Sequence, residues 1–248
     1  MVQVEGLHKS FDGLHVLRGV DLFVGRGELL ALVGISGQGK SVLLKHLAGL
    51  LRPDKGRVVI DGQEVSRLRG RGLERLRERL GFLFQGGALF DSMSVYDNVA
   101  FPLREKLRLP EGQVRPRVLA ALEQVGLSGA EEKFPGQLSG GMAKRAALAR
   151  ALVAEPEIML FDEPTTGLDP IINNAMLKLI DDCHRRQGFT GIIVSHAIPQ
   201  VFTIVEKVAL LHDGAVRCLA PPAEVEASED PVVRQFVRSD AEGPVKIL

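Results

Sequence analysis

The sequence predicts an α/β fold with a mixed-sheet core, an antiparallel β layer near the N-terminus and an inserted α-helical subdomain. Three observations predict it. Leu29-Leu30-Ala31-Leu32-Val33 is a short, wholly apolar run suited to a buried parallel strand, and a glycine-rich loop and a helical pattern follow it at once. Short β-like runs alternate with turns up to Val65. Beyond Val95 the pattern turns helical as far as Gly136, punctuated by Pro102, Pro110, Pro116 and Pro135.

Taken in order, residues 2–4, 20–24 and 57–60 read as strands, and Asp61-Gly62 as a hairpin turn before Glu64-Val65. After the glycine loop, Val42 to Leu47 is apolar at helical spacing and stops at Gly49. The stretch 67–79 holds six arginines, which read as a solvated helix face with Glu74 and Glu78 as local partners. Leu80-Gly81-Phe82-Leu83-Phe84 reads as a buried strand ending at Gln85. Ser139 is a natural N-cap for a helix running through Met142, Leu148 and Leu152. A strand at 158–161, a helix at 170–187, a strand at 190–195, a short helix after His196 and a hairpin at Asp213-Gly214 complete the alternation. This organisation gives one domain over residues 1–240, with the helical subdomain at about 90–155, and a polar tail at 241–248.

Composition narrows the function classes. Apolar residues make up 45% of 248, enough for a sizeable core. Net charge is zero, tryptophan is absent and aromatics are 5%, which argues against a nucleic-acid footprint or base-stacking platforms. Cys183 and Cys218 lie far apart and form no ligand motif, so they read as reduced core thiols. The N-terminus lacks the basic and apolar regions of a signal peptide, and no apolar run approaches the roughly 18 residues needed to span a bilayer. A soluble chain is expected, with any membrane part supplied by another polypeptide.

The chemistry starts at Gly34-Ile35-Ser36-Gly37-Gln38-Gly39-Lys40-Ser41, which reads G-x-x-x-x-G-K-S between a strand and a helix. Backbone amides of such a loop and the N-terminus of the following helix face an anion together. Gly37 and Gly39 let the backbone approach phosphate oxygens. Lys40 offers a point charge to β- and γ-phosphates, and Ser41 a hydroxyl to Mg²⁺. Ile158-Met159-Leu160-Phe161-Asp162-Glu163 places two carboxylates at the carboxyl end of a buried strand, where α/β sheets bind ligands. Asp162 is suited to hold Mg²⁺, and Glu163 to polarise an attacking water as general base. Leu138-Ser139-Gly140-Gly141-Met142 opens a helix with a serine and two glycines, a second anion cradle without a lysine. Two cradles in one chain fit two copies paired head to tail, each nucleotide lying between one copy's loop and the other's Ser139-Gly140-Gly141.

With these motifs in this order, the chain resembles the ATP-binding cassette (ABC) ATPases over residues 2–220. The resemblance implies ATP and Mg²⁺ as ligands. It implies Phe11 as the aromatic that stacks on adenine, and Gly34, Ser36, Gly37, Gln38, Gly39, Lys40, Ser41 and Val42 as ATP-binding residues. Gln85 matches the glutamine that senses Mg²⁺ and attacking water, which puts it with Ser41 and Asp162 as a metal ligand. Ser139, Gly140, Gly141 and Met142 match the signature that contacts the partner's ATP, with methionine in place of the usual final glutamine. Gly167-Leu168-Asp169 matches the loop that communicates across the dimer, and His196 the switch histidine at the γ-phosphate. Glu163, His196 and Gln85 are then the catalytic set.

A narrower likeness lies in residues 86–105, in Lys144-Arg145-Ala146-Ala147-Leu148-Ala149-Arg150, in Gly167-Leu168-Asp169-Pro170-Ile171 and in the C-terminal stretch from Gln235. These are similar to the ATPases of MCE-type lipid transporters such as the bacterial Mla system, which moves phospholipids between inner and outer membranes. That likeness implies integral-membrane permease subunits, an MCE-domain lipid-binding protein and a small accessory subunit as partners. It also implies a peripheral place on the cytoplasmic face of the inner membrane and a tail that reaches a partner. The rival readings are another ABC importer or exporter, for amino acids or metal ions, and a soluble ABC protein acting on ribosomes or DNA. A single cassette and neutral charge weigh against the second rival.

Overall fold

The computed structural model describes residues 1–245; the last three residues of the expected tail lie outside the described residues. In chain order the elements are β1 (Val2–Phe11), β2 (Leu14–Val24), β3 (Leu29–Val33), α1 (Lys40–Leu47), β4 (Lys55–Ile60), β5 (Gln63–Glu64), α2 (Arg71–Glu78), β6 (Leu80–Leu83), α3 (Val95–Glu105), α4 (Glu111–Gln124), α5 (Gly140–Leu152), β7 (Ile158–Asp162), α6 (Pro170–Gln187), β8 (Thr190–Val194), β9 (Lys207–His212), β10 (Ala215–Ala220), α7 (Pro222–Glu226) and α8 (Pro231–Arg238). They fall into two compact units: residues Met1–Leu73 with the chain from Thr190 onward, and Glu74–Phe189.

The first unit holds an antiparallel sheet in the order β2-β1-β4-β5. Val2, Val4 and Leu7 of β1 face Val24, Leu22 and Val20 of β2, and all six are buried. Both strands run further than their apolar ends predict. The cause is Asp12-Gly13, whose φ values of 47° and 83° close a two-residue hairpin between polar strand halves. The unit's second sheet has the order β10-β9-β3-β8, with β3 parallel to both neighbours and β9 antiparallel to β10, so it is mixed as expected. All five residues of β3 have zero exposure, which explains an unbroken apolar run in place of an alternating one. Polar side chains close its start: Leu29 N–H donates to Glu206 at 2.6 Å, and Gly27 N–H to the Thr190 hydroxyl at 2.9 Å. The expected short helix after His196 is a 3-10 turn at Gln200–Ile204. α7 and α8 were not legible in the polar C-terminal stretch. Asp230 caps α8, and Gln235 on that helix is buried because its amide exchanges hydrogen bonds with both backbone groups of Val245, at 2.8 and 3.0 Å. The tail up to Val245 is therefore held by its own chain.

In the second unit β6 and β7 pair in parallel, Leu80 to Leu83 alongside Ile158 to Phe161. The helices begin where the sequence supplies caps. Ser94 accepts from Asp97 N–H, Ser139 from Met142 N–H, and Asp169 from Ile171 and Ile172 N–H. Cys183 is fully buried, and that burial pushes its thiol up to about 11. Cys218, read from the sequence as a core thiol, is only half-buried on β10, where alternate residues point outward. Of the arginine run, Arg67 pairs with Glu64 and Arg79 with Glu157, both at 2.8 Å, partners the sequence reading did not name. Among the described residues no helix is long and apolar enough to cross a membrane.

Asn98 is the polar knot of the second unit. With zero exposure, it donates to the carbonyls of Phe90, Met93 and Ser94 and accepts from Phe90 N–H at 2.8 Å. Replacing it leaves several buried backbone groups without partners, each costing about 1–3 kcal/mol. Asn98→Ala is expected to lower stability by roughly 2–4 kcal/mol in chemical denaturation, far more than an exposed Asn substitution.

Candidate functional site

The first unit carries the phosphate loop. β3 stops at Gly34, whose φ of 148° and position leave no room for a side chain, since a Cβ there would lie 2.3 Å from the Leu211 carbonyl oxygen. Gly39, at φ 94°, occupies the N-cap of α1, and a Cβ there would meet Leu17 at 2.8 Å and Val16 at 2.9 Å. No side chain caps α1 and no acidic residue sits in its first turn, so no carboxylate there competes with an anion. Lys40 is buried beneath the loop, its ammonium donating to the carbonyls of Gly34 at 2.7 Å and Ile35 at 2.8 Å. Gln38 accepts from Asp213 N–H at 2.8 Å, tying the loop to the β9–β10 turn. A glycine-tight loop running into an uncapped helix start, with the Lys40 ammonium beneath it, fits the phosphates of a nucleotide.

Phe11 ends β1 at 40% exposure, open enough to stack on a flat ring. The Lys9 ammonium stands 5.3 Å from its ring centre, held by Asp54 at 2.8 Å. Asp54 also takes the Ser10 N–H at 2.7 Å, and the hydrogen bond from Lys9 is the main cause that holds its carboxyl below the usual range. His196 follows β8 and is exposed, just beyond the fully buried Ser195, whose hydroxyl accepts from Ala197 N–H at 3.0 Å.

The second unit carries the carboxylates. β7 is buried along its whole length and delivers Asp162, 8% exposed, at its carboxyl end. Glu163 follows with φ 50°, a conformation costly for a non-glycine residue and often retained at functional positions. Its Oε2 accepts from Gln85 Nε2 and from Thr166 Oγ1, both at 2.8 Å. Gln85 and Glu163, chosen from the sequence as catalytic, are thus in direct contact. Thr166 was missed; the only available signal was its place three residues beyond the presumed base.

Ser139, Gly140, Gly141 and Met142 line one groove of about 850 Å³ together with Gly167 and Asp169. The expected signature and communication loop therefore share a surface. Ser139 is exposed and turned onto Met142 N–H at 3.3 Å, and the Asp169 carboxylate caps α6. Helix α5 also grips the loop after Gln85. The Arg150 guanidinium donates to the carbonyls of Ala88 at 2.8 Å and Gly87 at 2.7 Å, and lies 5.6 Å from the Phe90 ring centre. Lys144 reaches the Gln85 carbonyl at 3.4 Å. Burial lowers the Lys144 ammonium from its ordinary value, while the negative charge of Glu163 pulls it back up. The sequence marks both residues only as part of the likeness to MCE-type ATPases and assigns them no contact, because a cation on a helix reads as solvated until its partners are known.

A phosphate nest, a strand-end carboxylate pair and a serine-capped glycine helix define a nucleotide-hydrolysing cassette. Residues 17–166 match the ABC transporter family. The chain is 43% identical over 244 residues to the probable ribonucleotide transport ATP-binding protein mkl of Mycobacterium leprae, covering 98% of this chain and 70% of that protein. It is 41% identical over 246 residues to the intermembrane phospholipid transport system ATP-binding protein MlaF of Haemophilus influenzae, covering 99% and 93%. Among solved structures it is similar to cbiO1 of Clostridium perfringens, part of the ABC transporter complex cbiONQ, with a TM-score of 0.84, 36% identity and cover of 92% and 91%. It is also similar to the dimeric MJ0796 cassette bound to ADP and Pi, with a TM-score of 0.81, 31% identity and cover of 90% and 99%. The chain belongs to the ABC transporter family and is an ATP-hydrolysing transporter subunit.

The grip of α5 on the loop is testable alone. Arg150→Ala removes three hydrogen bonds, including one to Asn98, and should raise amide hydrogen exchange across residues 87–93 by at least about tenfold. Exchange unchanged from wild type would show that the arginine does not hold the loop.

Proposed function

We propose that this chain powers the movement of phospholipid between inner and outer membranes, working as a head-to-tail pair on the cytoplasmic face of the inner membrane beneath a separate permease. The observation that carries the cargo reading is the match to the Haemophilus influenzae phospholipid transport protein, which spans nearly all of both chains. The mycobacterial relatives carry a ribonucleotide name at similar identity, but this chain spans only 70% of the Mycobacterium leprae protein. An MCE-domain lipid-binding protein and a small accessory subunit complete the assembly on this reading.

Within the pair, Phe11 stacks on adenine, and residues 34 to 42 enclose the triphosphate with Lys40 beneath it. Ser139, Gly140, Gly141 and Met142 of the second copy close the enclosure, and Asp169 reports on it across the dimer. Met142 brings a thioether where an amide is usual, so the amides of the helix start and Ser139 carry the polar contact. Ser41, Gln85 and Asp162 would hold Mg²⁺ through the oxygen donors it prefers, and the ion would supply positive charge to the phosphates. Glu163 takes a proton from the attacking water as general base, and His196 orients the γ-phosphate. The loop from Gln85, with the half-exposed rings of Phe84 and Phe90, offers the permease an apolar surface tied to α5. Such coupling requires the permease to interact differently with open and closed dimers.

Reconstitution of the transporter complex in vesicles bearing a fluorescent phospholipid tests the cargo. ATP should drive lipid movement, Glu163→Gln should abolish it while nucleotide still binds, and ribonucleotide should not stimulate hydrolysis. ATP-dependent ribonucleotide uptake with stationary lipid would overturn the phospholipid reading. Turnover by Glu163→Gln at the wild-type rate would overturn the general-base assignment.

A further inference from the structure

The carboxylate of Glu163 does not stand alone at the end of β7. Two donors converge on its Oε2: the Gln85 amide, from a residue 78 positions earlier, and the Thr166 hydroxyl, from the same tight turn, each at 2.8 Å. The turn is closed by Thr166 N–H donating to the Glu163 carbonyl at 3.3 Å, and the φ of 50° at Glu163 sets the direction in which its side chain leaves the backbone. Neighbouring Thr165 is buried, whereas Thr166 is exposed and its hydroxyl is nevertheless turned onto the carboxylate.

We propose that Thr166 is a positioning residue for hydrolysis, holding the Glu163 carboxylate in the orientation from which it takes a proton from the attacking water. The proposal rests on the reading of Glu163 as general base. A glutamate side chain has several rotatable bonds, and a hydrogen bond to one carboxylate oxygen restricts all of them at once. The two donors differ in what moves them. Gln85 belongs to the loop gripped by α5 and meant to respond to a permease, so its contact depends on that loop's state. Thr166 lies three residues from Glu163 and stays with it. The hydroxyl thus keeps the base aimed when the amide leaves. Because Thr166 is exposed, water competes for its hydroxyl and the contact adds little to folding stability. Its effect falls on the geometry of the reacting groups, where small misplacements are costly in rate.

Steady-state ATP hydrolysis by the full-length chain, with Thr166→Val, Thr166→Ala and Thr166→Ser measured beside Glu163→Gln, tests this. Thr166→Val and Thr166→Ala should lose roughly tenfold in kcat, from loss of a charge-assisted hydrogen bond that orients the base. KM for ATP should stay within about twofold, because nucleotide binding is untouched. The midpoint of thermal unfolding should stay at the wild-type value, and Thr166→Ser should restore kcat. Wild-type kcat in the valine and alanine variants, an equal loss in the serine variant, or a loss confined to KM would each overturn the proposal. If Glu163→Gln is inactive while Thr166→Val is unimpaired, only the role of Thr166 fails. If Glu163→Gln turns over at the wild-type rate, the base reading fails first.

Discussion

Where two buried strands stop is the constraint on which the site depends. β3 and β7 are five residues each, sealed from solvent along their length, and neither can continue once a polar group must reach water. The first polar positions beyond the apolar run therefore emerge at a fixed place. After β3 that place is a loop too tight for a Cβ at Gly34, and no side chain caps the helix that follows. At the end of β7 it is Asp162, followed by the backbone-strained Glu163. Packing of the interior thus determines the position of the chemistry.

The same logic decides what could be read from the sequence. Strands buried on both faces advertise themselves as unbroken apolar runs, so β3, β6, β7 and β8 were legible, as were helices announced by Ser139 and Pro170. β1 and β2 were legible only at their apolar ends, because their outer halves face water and carry Lys9, His15 and Arg18. α8 was invisible for a different reason: what buries it includes the backbone of Val245, a contact no local pattern encodes. Lys40 and Glu163 could be singled out because the chemistry dictates residue type and spacing together, and Gln85 because of the family resemblance. Thr166 was missed, and Lys144 and Arg150 were noted without their contacts, because their importance lies in what they touch, and threonine or arginine is unremarkable on a surface helix or turn.

Helix α5 joins three tasks that the sequence presents separately. Its first turn forms the glycine cradle, its second reaches the Gln85 carbonyl through Lys144, and its third clamps the Gly87-Ala88 backbone through Arg150. Asn98 fixes the far side of that loop. The cradle and the loop carrying Phe90 are thus tied to one helix by side-chain to backbone hydrogen bonds.

On the proposed function, a complete site needs two copies of the chain. The most direct measurement uses a mixed dimer, one copy carrying Lys40→Ala and the other Ser139→Cys, with an ATP analogue bearing a thiol-reactive group on its γ-phosphate. Because the Lys40→Ala copy cannot hold the nucleotide, label should be lost from the cysteine whose facing loop is mutated and kept when the Lys40→Ala and Ser139→Cys changes are placed in the same copy. Labelling that instead follows the loop of the cysteine's own chain would contradict the shared site.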